Sequence, residues 1–149
     1  MTGTLWSLAL ALAIFIAVHM VPVVPGLRAA MINAWGKRVY RALFSILSLA
    51  GLVWIVFAHK DAPQILLWEG PDWFRLIPLA AMPLVLILLA TMPSDGIKKV
   101  TRHPLLWAIF LWATAHIPTN GDAASLMLFG AFALFALIDQ PLADARTRR

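Results

Sequence analysis

The chain has no cysteine in its 149 residues. That excludes disulfides, iron–sulfur clusters, thiolate zinc sites and cysteine nucleophiles. Charge is also scarce: 13% of residues are Asp, Glu, Lys or Arg, where soluble domains carry about a quarter. Only seven of these are acids, scattered over the polar connectors, with no close carboxylate pair that would serve as an acid–base site. What is abundant is apolar surface, 62% of the residues. A soluble globule, whose accessible surface is already more than half apolar, cannot hide that much, so lipid is the natural solvent. The net charge of +5 comes from basic residues placed between apolar runs, a pattern that suits anionic lipid headgroups and not nucleic acid.

Residues Met1 to Trp6 hold no Lys or Arg, and the apolar run behind them is too long for a signal core. The expectation is therefore a retained membrane segment. That first run extends from Leu5 to about Val24 and is closed by Pro22 and Pro25. It is long enough for a hydrocarbon core of about 30 Å. Gly26 to Arg41 carries Arg28, Lys37, Arg38 and Arg41 without an acid, and reads as an interfacial helix with Trp35 and Tyr40 at headgroup depth. Further spans are expected over Ala42–Ala58, Phe74–Met92, Pro104–Ile117 and Ala123–Ile138. The fourth is short, and Pro78 and Pro83 predict a kink in the third, the carbonyls they free being satisfied by neighbours. Asn120-Gly121 marks a turn before the last span. The seven tryptophans read mostly as belt residues, and Gly51 and Gly130 as points of close helix packing.

The fold class is thus all-α: one polytopic transmembrane bundle over residues 1–149, with about five spans and no repeat. Loop parity predicts its orientation. Arg28, Lys37, Arg38, Arg41, Lys98, Lys99, Arg102, Arg146, Arg148 and Arg149 fall on one side, against Lys60 and Arg75 on the other. Ten against two puts the N-terminus outside and the C-terminus in the cytoplasm.

Four histidines are the candidates for chemistry: His19, His59, His103 and His116. His19, late in an apolar span, is the sharpest signal, because an ionisable residue there is costly and faces a partner or a cavity. A neutral histidine bonded to a carbonyl is the structural alternative. A bis-histidine haem needs two imidazoles at equal depth on facing helices, and His19 and His103 match in depth. Arg28 and Arg102 are placed to pair with propionates, and Trp107 lies one turn from His103 on its helix face. A second haem between His59 and His116 is disfavoured. His103 and His116 are thirteen residues apart, about 20 Å along a helix at 1.5 Å per residue, and point in different directions. That leaves His116 to another neighbour or an interfacial hydrogen bond. A non-haem metal at His19 and His103 would want carboxylates beside it, and the nearest acid in either adjoining connector is Asp95.

Gly96, Ile97 and the run Thr101-Arg102-His103-Pro104-Leu105-Leu106-Trp107 resemble the NnrU-type membrane protein family. The likeness continues through Trp112, Ala115 and His116, then Asn120-Gly121-Asp122 and Leu128-Phe129-Gly130. Upstream it takes in His19, Arg28, Gly36, Arg38, Tyr40, Arg41, Ala62 and Pro63, so it covers nearly the whole chain. The resemblance implies a multi-pass inner-membrane protein linked to denitrification, with other membrane proteins of nitrogen-oxide respiration as partners. The family is similar to the plant zeta-carotene isomerase, a membrane enzyme with histidine-held haem b. Carried over, the haem ligands fall on His19 and His103, the pair that membrane depth also selects. The same resemblance leaves open whether the protein is an enzyme.

Two other readings remain at this stage. The Gly-Ile and Arg-His-Pro stretch is similar to one in membrane methyltransferases that use S-adenosylmethionine, where Arg102 and His103 would touch the cofactor. Those enzymes need a later acidic pair, and after Pro104 this chain offers Asp122, Asp139 and Asp144 but no Glu. The third reading is a non-catalytic accessory or assembly subunit of a respiratory nitrogen-oxide reductase.

Overall fold

The computed structural model describes residues 3–92, 96 and 100–147, with side chains through 145. Lys98, Lys99, Arg148, Arg149, Ile97, Asp95 and the side chain of Arg146 lie outside the described residues. Five helices account for most of the rest: α1 (Leu5–Met20), α2 (Pro25–Asp61), α3 (Leu76–Ala90), α4 (Pro104–His116) and α5 (Ala123–Thr147). They divide into two compact units, Met1–Pro63 and Gln64–Arg149.

The first unit is a helical hairpin. Thr4 starts α1 with a capping box: its hydroxyl accepts from Ser7 N–H at 3.2 Å, and the Ser7 hydroxyl returns to the Thr4 backbone. Leu8, Ala11 and Leu12 of α1 and Ile55 and Ala58 of α2 are buried between the two helices. The chains run antiparallel, because Gly3 sits against the Asp61 carbonyl at the far end of α2. Gly51 admits the Phe15 ring, whose Cδ2 lies 3.1 Å from where a β-carbon would be, which is the close packing expected of it. Helix α2 is not straight. Gly36 leaves the helical region at φ 80°, ψ 154°, a conformation that suits a residue without a β-carbon. The expected interfacial helix is therefore broken at this elbow, and Lys37 to Arg41 are continuous with the helix that carries Ala42 to Ala58.

The second unit stacks α3 on α4 and α4 on α5. Val85, Leu88 and Ala108 form one buried cluster, with Met82, Leu111 and Trp112 packed on it. Ala113, Phe129 and Ala133 form another with Phe110, Ile117 and Phe132. Alanines at the contacts let the helices approach closely, as expected where lipid supplies no hydrophobic drive between them. Gly130 plays no such part: a β-carbon there would meet open space.

Pro78 falls in the first turn of α3 and has no N–H to offer the carbonyl four residues back. That carbonyl, Phe74 O, accepts from the Leu76 N–H and from the Thr119 hydroxyl, the latter at 3.0 Å. Thr119→Val is expected to cost about 1 kcal/mol, one net hydrogen bond, read as a lower thermal midpoint in detergent. The turn that carries Thr119 is tied down further. Leu67 and Trp68 N–H both donate to Gly121 O, at 2.7 and 3.1 Å, and Ala123 N–H donates to Ile65 O at 2.8 Å. The Trp68 indole donates to Pro118 O at 3.1 Å. Asp122 then caps α5 by accepting from Ser125 N–H at 2.8 Å.

Four helical stretches are long and apolar enough to cross a membrane: Leu5–Val23, Pro25–Asp61, Asp72–Ala90 and Ala123–Ala145. Helix α4, 13 residues long, spans only about 20 Å at 1.5 Å per residue. Large apolar side chains stand exposed along the helices, Leu79 at 69% and Ile46 at 63% among them, as lipid-facing surfaces require.

Candidate functional site

The described structure places the predicted residues in three settings. The first is at the end of α1. His19 is half-buried, and its Nδ1 donates to the Phe15 carbonyl at 2.8 Å. A carbonyl can only accept, so Nδ1 carries a proton, and it is the neutral form of the ring that would offer a lone pair on Nε2. The imidazole lies against the Phe15 ring (centroids 4.1 Å apart) and edge-on to Phe44 (5.4 Å). Phe44 in turn stacks with buried Tyr40 at 6.4 Å. Arg28 is exposed in the second turn of α2, before the elbow.

The second setting is the approach to α4. The N–H of His103 bonds back to the Thr101 carbonyl. This closes a three-residue turn around Arg102, which takes a left-handed φ of 54°. Such a conformation in a side-chain-bearing residue costs on the order of 1 kcal/mol or more and persists where surrounding contacts impose it. Those contacts converge on one carboxylate. Asp144 accepts from His103 Nε2 at 2.8 Å and from the Arg102 guanidinium at 3.1 Å. His103 is the more enclosed of the two donors, with 19% of its side chain exposed against 65% for Arg102. Trp107, the first residue whose N–H bonds into the turn at His103 O, stays partly exposed, edge-on to Phe110 at 6.0 Å.

The third setting is the other end of α4. His116 donates through Nδ1 to Trp112 O at 2.7 Å and stacks on Phe129 at 5.0 Å, with Trp112 at 5.6 Å. It belongs to the aromatic packing between α4 and α5. Trp112 is likewise a core residue, set edge-on to Phe129 and Phe132, and not a belt residue. His59 closes α2 in the first unit, half-buried.

Arg102 and His103 thus meet through Asp144, and His116 stands apart from them at the opposite end of their helix. His19 belongs to the other unit. Among the described residues, no three His, Asp or Glu side chains converge as a metal-ion site. Asp144 is the residue that sequence reasoning missed as a partner, because the chain after Ile138 reads as a tail. Its signal was a stripe of small residues: Ala133, Ala136 and Ala143 are all buried and keep the helical period past Pro141.

Fold and site together define a multi-pass helical membrane protein with histidines held at helix ends. The model for the family described as NnrU protein matches residues 7–149. The chain belongs to that family. No curated protein and no solved structure matches it.

Proposed function

We propose that this NnrU-family membrane protein binds b-type haem through His19 and His103, and acts in nitrogen-oxide metabolism at the bacterial inner membrane. The observation that carries the reading is the Nδ1 bond of His19 to Phe15 O. Axial histidines are held this way, with one ring nitrogen tied to a carbonyl and the other turned to the metal. The aromatic faces of Phe15 and Phe44 fit a porphyrin's apolar surroundings, and the chain has no cysteine to offer a thiolate ligand.

His103 suits the role with a difference. Its Nε2 proton goes to Asp144, so it is the neutral form of the ring that would offer a lone pair, on Nδ1. Ligation would use Nδ1, with Asp144 orienting the ring and raising its basicity from the far side. Arg102 spends one guanidinium nitrogen on Asp144 and has further N–H donors for a propionate. Arg28 is exposed and would serve the other propionate. Trp107 would screen the His103 side from water, while His116 holds the α4–α5 packing behind it. When bound, haem supplies a redox-active iron suited to electron transfer, carbonyl or olefin polarisation, or nitric oxide binding.

The deciding experiment is an ultraviolet–visible spectrum of detergent-purified protein, oxidised and then reduced with dithionite. A Soret band that sharpens and shifts, with resolved α and β bands, is the expected result for six-coordinate b haem. Protein that stays colourless after incubation with hemin would overturn the reading.

A further inference from the structure

We infer that the elbow of the first unit is a binding site for one anionic diacyl phospholipid, with an acyl chain in an apolar cleft and the phosphate on the basic residues beside it. The inference does not depend on the haem reading. The cleft has a volume of about 270 Å³. Val18 and Val21 line it from the end of α1, Met31 and Trp35 from α2 before the elbow, and Leu43 and Leu47 from α2 after it. It exists because Gly36 turns the chain: a straight helix would carry Met31 and Trp35 away from Leu43 and Leu47.

Two observations say what occupies it. The first is Tyr40, which also lines the cleft and is only 8% exposed. Among the described residues its buried hydroxyl has no hydrogen-bond partner. A buried donor left unmet is costly, and a bound molecule with an acceptor oxygen at that depth would satisfy it. The second is charge. Lys37, Arg38 and Arg41 bracket Tyr40 in sequence, all exposed, and no acid occurs from Gly26 to Arg41. A glycerophospholipid carries the matching series in order: apolar chain, ester carbonyl, anionic phosphate. The cleft takes the chain, the Tyr40 hydroxyl donates to the ester carbonyl, and the cations take the phosphate.

The test is native mass spectrometry of the full chain, released from detergent with equal amounts of phosphatidylglycerol and phosphatidylcholine. One phosphatidylglycerol is expected to stay bound in preference to phosphatidylcholine. Lys37→Gln and Arg41→Gln should each weaken its retention by about fivefold, whereas Arg38→Gln, about 160° around the helix from Tyr40 at 3.6 residues per turn, should change it less. Tyr40→Phe, which removes one oxygen and keeps the ring, should weaken both lipids alike by about fivefold. Leu47→Trp should fill the cleft and abolish retention. Equal retention of the two lipids by the unaltered protein would overturn the inference. So would an anionic preference that survives loss of the three cations, retention unaffected by Tyr40→Phe, or displacement of the lipid by hemin, which would give the cleft to the porphyrin.

Discussion

If the proposed haem is bound, purified His19→Ala protein is expected to lose its six-coordinate spectrum entirely, leaving either no Soret band or the broad one of a five-coordinate iron. The expectation follows from how His19 is held. Its Nδ1 is committed to Phe15 O, and its ring is fixed between Phe15 and Phe44, so no rotation of another histidine replaces its Nε2. The substitution does little harm to the helix, since alanine is the best helix former and the bond it removes lies within one turn. His103→Ala should have the same spectral outcome, with the added release of Asp144 and Arg102 from their shared contact. His116→Ala is the informative control. It removes a ring stacked on Phe129 and should lower the thermal midpoint while leaving the spectrum in place. Unchanged α and β bands in His19→Ala would remove His19 from the iron. A spectrum lost in His116→Ala but kept in His103→Ala would assign the second ligand to the other end of α4.

Gly121→Ala is expected to be the most destructive small substitution in the second unit. An alanine β-carbon at this position would lie 1.8 Å from the Trp68 carbonyl oxygen, a backbone atom that cannot step aside alone. Relief requires parting the 65–68 segment from the turn, which gives up the bonds of Leu67 and Trp68 to Gly121 O and of Ala123 to Ile65 O. At about 1 kcal/mol net for each bond, with the Trp68 indole bond to Pro118 O also at risk, the loss comes to about 3–4 kcal/mol. Gly130→Ala, inside α5 where a β-carbon meets nothing, should be neutral or stabilising by about 0.5–1 kcal/mol. Thermal or denaturant midpoints of the two variants in one detergent make the comparison. Equal midpoints would mean that the 65–68 segment does not hold the turn.

Much of this architecture was legible because the sequence punctuates it with prolines and apolar runs. Pro25, Pro71 and Pro104 each stand where a helical segment begins or is about to begin, and Asn120-Gly121-Asp122 marked the turn into α5. His19 was legible because a histidine in an apolar run is conspicuous. Three features were not. The elbow at Gly36 is a backbone event, and a glycine among helix formers does not announce a positive φ. Asp144 looked like part of a charged tail, because its partners Arg102 and His103 lie some forty positions away in sequence. The third was the uneven worth of the glycines. Gly51 and Gly130 both sit in apolar helices, yet only Gly51 faces a ring. A backbone dihedral decides the first, distance in sequence the second and direction around a helix the third, and none of these shows in composition.

The helix pairings bear on how the protein is made. Helix α1 packs on α2, α3 on α4 and α4 on α5, so each pairing joins a helix to the next one synthesised. A nascent span of this chain waits only for its successor to find a partner, and the α1–α2 hairpin can close while the rest is still on the ribosome. Loop-closure costs stay low when contacts are local, and apolar small-residue faces spend little time unpartnered in the bilayer. The order of synthesis is thereby also an order of assembly, one hairpin at a time.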